Sequence, residues 1–310
     1  MPPSWWRLEM PAPPELEESL LWKLGALGIS RVALRHSPAA PDQRLLQAWL
    51  PAADWPEAER QELERALAPL AATFGLALPP LQWHVQHEED WSSSWKRHWQ
   101  ADPVGSRLLI LPAWLELPPE HAGRLVIRMD PGSAFGTGSH PTTRLCLEAL
   151  ERLAEERGAT AGTSPHLGCA RVADLGCGSG ILGIAALLQG AAAVAAVDTD
   201  ALAVRATAEN AAAGGLEQRL QVRLGSVEVL AELLAGQPAD LLLCNILAPV
   251  IEALAPAFDT VLAPTGVGLL SGLLVTQAQR LEQVLASLGW QAALIGQQSQ
   301  WGLMMLHKAR

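Results

Sequence analysis

From Arg171 onward, short apolar runs alternate with segments whose apolar residues recur at the helical period, and no other feature of the chain restricts its fold as strongly. Strands are predicted at 171–175, 194–198, 220–224, 240–244 and 266–271, and helices at 181–188, 201–213, 227–234, near 249–257 and at 276–288. That alternation is the signature of a doubly wound parallel sheet with helices on both faces. The last two runs, 291–296 and 302–307, are predicted as an antiparallel terminal pair. Sheets of this kind bind ligands outside the carboxyl ends of their strands. The residues that close 171–175, 194–198 and 240–244 are therefore the first places to look for chemistry.

The front of the chain reads differently. Ten of the twelve tryptophans precede position 115, whereas Ala, Gly and Leu dominate the later part. Together with a length of 310 residues, this shift predicts two domains. Helices at 15–27, closed near Gly28, and at 56–72, with extended runs at 44–50 and 81–86, describe a small α+β unit. The expected organisation is a front domain over 1–86, a helical linker over 87–106 and the doubly wound domain over 107–310. In the linker, Trp91, Trp95 and Trp99 recur every fourth residue and share one side of a helix, where they either fill a core or recognise a substrate. Short strands are predicted at 108–111 and 125–128, and the Gly-, Thr- and Ser-rich stretch 158–168 reads as a surface loop.

Composition excludes several classes. No run approaches the roughly 20 apolar residues needed to cross a bilayer. Residues 1–6 show no basic segment leading into an apolar stretch, so a cytoplasmic location without membrane attachment is expected. Cys146, Cys169, Cys177 and Cys244 form no CxxC pair, which argues against a zinc knuckle or a disulfide framework, and no metal is expected. A net charge of −10 disfavours non-specific attachment to nucleic acid and suits a basic protein partner.

The strongest local signal is Asp174-Leu175-Gly176-Cys177-Gly178-Ser179-Gly180, between an apolar strand and an apolar helix. Glycines there permit positive φ and close approach of a ligand to the backbone. Asp198 ends the next strand, where a carboxylate accepts hydrogen bonds from two ribose hydroxyls. Asp200, two residues on, reads instead as a helix N-cap. These features together specify a nucleotide-type cofactor without separating a nicotinamide enzyme from a methyltransferase. Asn245, in Asn245-Ile246-Leu247-Ala248, stands at the end of a further strand, a placement that resembles the Asn or Asp through which many amino-methyltransferases accept hydrogen bonds from the attacking amine; its other reading is a helix cap. Upstream, Phe135-Gly136-Thr137-Gly138-Ser139-His140-Pro141-Thr142-Thr143 forms an ordered loop before a helix that begins near Thr142 or Thr143. It can fold over a cofactor, with Phe135 covering an apolar surface and Thr143 in a hydrogen bond. His140 is read as a backbone-bonding residue rather than a general base.

The tight GxGxG turn resembles the first motif of class I methyltransferases. Together, the 135–143 segment, the 174–180 turn, Asp198 and 245–248 closely resemble the ribosomal protein L11 methyltransferases, the PrmA family, over most of 87–310. The resemblance implies a seven-stranded class I methyltransferase domain preceded by a small α+β substrate-recognition domain. It implies S-adenosyl-L-methionine as cofactor, bound by Thr143, Gly176, Asp198 and Asn245, with Asn245 and Phe135 as the catalytic pair; in the turn itself, Gly176 and Gly178 let the methionine part lie along the backbone, and Asp174 either organises the loop or holds the cofactor's ammonium through water. It also implies ribosomal protein L11, a basic protein, as the substrate, methylated on its N-terminal α-amine and on lysines. No direct nucleic-acid requirement follows, and a monomer is favoured. The 158–168 stretch and the Trp- and Pro-rich front domain depart from the family pattern. Other readings are a methyltransferase for another protein or a small amine, a nicotinamide-dependent dehydrogenase, and a non-catalytic ribosome-assembly binder.

Overall fold

The computed structural model describes residues 4–37, 40–87, 99–130, 136–162, 164–168 and 171–309. They pack as two units. One contains the described residues up to Gln100 together with 136–140, and the other contains 101–130 and 141–309.

The first unit is a four-stranded antiparallel sheet in the order β2-β3-β1-β4, built from β1 (Ser4–Pro11), β2 (Val32–Ser37), β3 (Ala40–Pro51) and β4 (Gln82–His87). Helices α1 (Pro14–Ala26) and α2 (Glu57–Thr73) complete it. Leu8 and Met10 of β1, Leu34 of β2 and Leu46 and Leu50 of β3 form one core with Leu16, Leu20 and Leu24 of α1 and Leu63 and Leu67 of α2. Strands β1 and β2 were not anticipated from sequence, although Leu8 and Met10 alternate with Arg7 and Glu9 at the strand period. Trp99 packs against this core and donates its indole N–H to the Val32 carbonyl at 3.3 Å, so it fills space as the simpler of its two readings requires. Trp91 and Trp95 lie outside the described residues.

The second unit opens with a three-stranded sheet of β5 (Asp102–Val104), β6 (Leu108–Pro112) and β7 (Leu125–Met129), followed by α3 (Pro141–Ala161). The expectation of a helix through 87–106 therefore fails at its end, because 102–104 pair with β6. A buried carboxylate holds that turn. Glu151 of α3 accepts the N–H groups of Ser106, Arg107 and Leu108 at 2.8–2.9 Å, and Arg144 pairs with Asp102 at 2.7 Å. Helix α3 also runs further than expected, taking the first residues of the stretch read as a loop. Gly158 is buried there, and a Cβ on it would stand 2.6 Å from the Ser164 carbonyl oxygen, so the absent side chain lets the returning chain lie against the helix.

The remaining elements alternate as expected: β8 (Arg171–Leu175), α4 (Ile181–Leu188), β9 (Ala193–Asp198), α5 (Ala201–Ala213), β10 (Leu220–Leu224), α6 (Val227–Leu233), β11 (Ala239–Asn245), α7 (Ala248–Leu254), β12 (Leu262–Leu274), α8 (Val275–Ser287), β13 (Trp290–Gln298) and β14 (Trp301–Lys308). Pro256 follows α7 and the chain continues as a 3-10 turn (Ala255–Thr260) rather than as the single helix predicted. The sheet has seven strands in the order β10-β9-β8-β11-β12-β14-β13, with β14 antiparallel to both of its neighbours. Alternate residues explain the two-sided burial. Val172, Val194, Leu241 and Leu243 join the core that includes α3 and α4, whereas Ala173, Leu175, Leu242 and Cys244 join the core that includes α6, α7 and α8. Cys146, Cys177 and Cys244 are buried free thiols, and burial pushes that of Cys146 up to about 12. Among the described residues, no helix is long and apolar enough to cross a membrane.

Candidate active site

Strand order reverses between β8 and β11, and the carboxyl ends of β8, β9 and β11 meet beside that reversal. At the end of β8 the chain turns through 176–180 into α4. The N–H groups of Gly176 and Cys177 both donate to the Val197 carbonyl, at 2.9 and 3.0 Å, which ties the turn to β9. Gly176 has φ +76°, and a Cβ there would lie 2.4 Å from Ile246 Cγ2. Only glycine meets both demands.

Asp198 closes β9 as a half-buried carboxylate. Its Oδ2 accepts the Gly178 N–H and its Oδ1 the Asp200 N–H, each at 2.9 Å. One lone pair per oxygen is thereby engaged, and each oxygen retains capacity for a further donor. Asp200 caps α5 through the Leu202 N–H at 2.8 Å, as its sequence position predicts. Asp174 points the other way. It is buried and accepts the Gly183 N–H at 3.0 Å, in the first turn of α4. Burial pushes its carboxyl up to about 7, with the Asp198 charge adding to the rise and the Gly183 bond opposing it.

Two residues that sequence reading missed brace the turn from α5. Thr207 donates its hydroxyl to the Gly178 carbonyl at 2.9 Å, and Asn210 donates its side-chain N–H to the Ser179 carbonyl at 2.9 Å. Asn210 Oδ1 also accepts the Asp130 N–H at 2.9 Å. The available signal was a Thr and an Asn three apart on the buried face of an alanine-rich helix.

Asn245 ends β11, in register with Ser271. Its Nδ2 donates to the Thr143 hydroxyl in the first turn of α3, at 3.3 Å. Its Oδ1 is buried and has no hydrogen-bond partner among the described residues. An unpartnered buried acceptor is costly unless a ligand meets it.

The 136–140 turn packs within the first unit. Glu18 of α1 accepts the N–H groups of Gly136 at 3.0 Å and His140 at 2.7 Å. The imidazole of His140 is buried and bonded to the Glu15 backbone carbonyl. Burial, reinforced by the Arg44 charge, pushes it down to about 4, so it is neutral at physiological pH and engaged with backbone, as its sequence context suggests. Phe135 lies outside the described residues.

The family profile described as ribosomal protein L11 methyltransferase (PrmA) matches residues 4–309. The chain belongs to that family. A ribosomal protein L11 methyltransferase of Synechococcus sp. (strain RCC307) is 62% identical over 307 residues, covering 99% of this chain and 98% of the relative. One from Parasynechococcus marenigrum (strain WH8102) is 62% identical over 300 residues, covering 96% of this chain and 100% of the relative. The crystal structure of ribosomal protein L11 methylase from Lactobacillus delbrueckii subsp. bulgaricus matches with a TM-score of 0.58 and 31% identity, covering 68% of this chain and 100% of that one. The geometry suits the cofactor that this family resemblance implies. A carboxylate with acceptor capacity to spare, a turn that requires glycine and an unpartnered amide oxygen converge on the ends of three adjacent strands.

Proposed function

We propose that this chain transfers methyl groups from S-adenosyl-L-methionine to amino groups of ribosomal protein L11, at its N-terminal α-amine and its lysine ε-amines, in the cytoplasm. The observation that carries the reading is the orientation of Asn245. Its N–H is taken by Thr143, which leaves a buried amide oxygen as the free acceptor. An oxygen so held accepts an N–H of a neutral amine and thereby aims the nitrogen lone pair. An amide does not take the proton, so Asn245 orients the nucleophile rather than acting as a base.

When bound, the cofactor supplies an electrophilic methyl group on a positively charged sulfonium. Asp198 would hold its ribose hydroxyls, and Gly176 and Gly178 would lie along its methionine portion, with Thr143 beside them. Asp174, turned toward Gly183, organises the turn from behind. Phe135 enters by family resemblance as the apolar wall beside the amine.

The amine must be neutral to react. At pH 7 this costs roughly 4.6 kcal/mol for a lysine of ordinary pKa and about 1 kcal/mol for an α-amine. The α-amine is the easier target, and a pocket of low polarity beside a cation lowers the cost for lysine as well. The net charge of −10 favours encounter with a basic protein. In this reading the front unit presents the substrate, and neither nucleic acid nor a second copy of the chain is required. The test is intact mass spectrometry of purified L11 after incubation with the enzyme and S-adenosyl-L-methionine. Mass steps of about 14 Da, one methyl replacing one hydrogen, that vanish with Asp198→Ala support the reading. No mass gain by the wild type, with cofactor binding demonstrated, sinks L11 as the substrate.

A further inference from the structure

The first unit buries a carboxylate that the chemistry above does not use. Glu18 lies near the start of α1 among Leu16, Leu20 and Leu21 and has no exposed surface. Its neighbour Glu17 pairs with Arg44. Glu18 instead faces backbone. Oε2 accepts the Gly136 N–H at 3.0 Å, Oε1 accepts the His140 N–H at 2.7 Å, and the Gly138 N–H also bonds to the carboxylate. Gly136 and Gly138 adopt φ values of +100° and +91°. Left-handed residues of this kind let nearby N–H groups converge on one point, the geometry of an anion-binding nest. Here a side-chain carboxyl of the same chain takes the place of such an anion. One turn earlier in α1, the Glu15 carbonyl receives the His140 imidazole, so both ends of 136–140 are fastened to α1.

A segment with two glycines loses much backbone entropy when ordered. The bonds that order this one end on a fully buried carboxyl, where water does not compete for the same donors. Three residues of chain then lead from His140 to Thr143, whose hydroxyl receives the Asn245 amide.

We propose that Glu18 is a positioning residue for methyl transfer: it fixes the backbone of 136–140, the segment from which the chain enters α3 and reaches Thr143. The inference rests on the reading of Thr143 and Asn245 given above. It gives α1 a role beyond presenting the substrate, because α1 supplies the acceptor that orders the segment ahead of the site.

Glu18→Gln isolates the effect. The amide keeps the shape but replaces one acceptor oxygen with a donor, so at least one of the two direct N–H bonds is lost. The full-length variant is expected to exchange the amide hydrogens of Gly136, Gly138 and His140 about tenfold faster, the factor set by loss of one buried hydrogen bond. Exchange within α1 should stay unchanged. The same variant should lower kcat by about tenfold or more while the KM for L11 moves little, a split that general loosening of the front unit does not produce. Unaltered exchange at 136–140 overturns the proposal, as does faster exchange with wild-type kcat. Should the variant fail to fold, the wild type decides: the amides of Gly136 and His140 must be protected comparably to those of α1, and free exchange there overturns the clasp. Exchange is read without turnover, so a wild type that does not methylate L11 would sink the proposed function while the clasp is judged separately.

Discussion

Asn245 donates its side-chain N–H to the Thr143 hydroxyl across 3.3 Å, joining the end of β11 to the first turn of α3 over a sequence separation of 102 residues. The bond decides which face of the amide is spent and which remains for a ligand. Asn245→Ala is expected to lower kcat by about 100-fold, in line with removal of a preorganised polar group, and to weaken cofactor binding by less. Thr143→Val should cost about tenfold in kcat, one hydrogen bond's worth. Because the two side chains act as a unit, the double variant should be no slower than Asn245→Ala alone. Steady-state kinetics on the three variants, with cofactor affinity measured by calorimetry, check this. Additive losses in the double variant would mean that Thr143 does not work through Asn245.

Gly176 carries a different demand, since its backbone conformation and its lack of a Cβ are both required. Gly176→Ala places a side chain at φ +76° and 2.4 Å from Ile246 Cγ2. The expected result is loss of cofactor binding together with about 1–3 kcal/mol of stability from backbone strain alone. Adding Ile246→Ala removes the struck methyl group and should recover part of the stability without recovering the strained φ. Thermal melts and cofactor titrations of the single and double variants test this, and wild-type affinity in Gly176→Ala would rule out close backbone approach at this turn.

Two buried carboxyls and one buried imidazole set the dependence of stability on pH. Burial pushes Glu18 up to about 8, with the Glu17 charge adding to the rise and the His140 and Gly136 N–H bonds opposing it, and pushes Asp174 up to about 7. A carboxyl raised in the folded state binds more protons folded than unfolded, so its contribution is full below the unfolded pKa and is lost as pH rises through the folded one. His140, pushed down to about 4, acts oppositely: its contribution is present above its ordinary value of 6.5 and is lost as pH falls toward 4. Above pH 6.5 only the carboxyls remain in play, and stability should decline until about pH 8 and then level. Glu18 accounts for about 2 kcal/mol of that decline, taken as the remaining pKa interval at 1.36 kcal/mol per unit. Melting temperatures of the wild type and Glu18→Gln between pH 6.5 and 9 check it: the wild type should fall by several degrees and the variant by clearly less. A wild-type curve that rises over this interval reverses the sign and rejects the assignment.

The doubly wound sheet was legible before any coordinates, and so were the glycine turn and the positions of Asp198 and Asn245 at strand ends. Their signals are local. A buried strand has its own apolar run, a tight turn has its own glycines, and strand ends follow once the strands are placed. The front unit was less legible: β1 and β2 each carry an arginine within the strand and β1 ends in proline, and β5 was hidden inside a stretch that read as helix.

The partners of polar groups were decided by the tertiary structure alone. Glu18 stands near the start of α1, where a carboxylate is equally at home in solvent facing the helix dipole. Only the fold brings it the N–H groups of Gly136 and His140 from 118 and 122 residues away. Asp174 reads from sequence as a cofactor contact or a loop organiser, and only the fold brings its carboxyl the Gly183 N–H. Thr207, Asn210 and Glu151 carry no motif, yet each holds a turn distant in sequence. In the doubly wound part, sequence by itself determined which segments are strands and helices and which face of each is apolar, because those depend on periodic burial over a few residues. Which oxygen meets which N–H depended on the packing of whole elements, because a hydrogen bond is made only within about 3 Å and only the folded chain brings such groups that close.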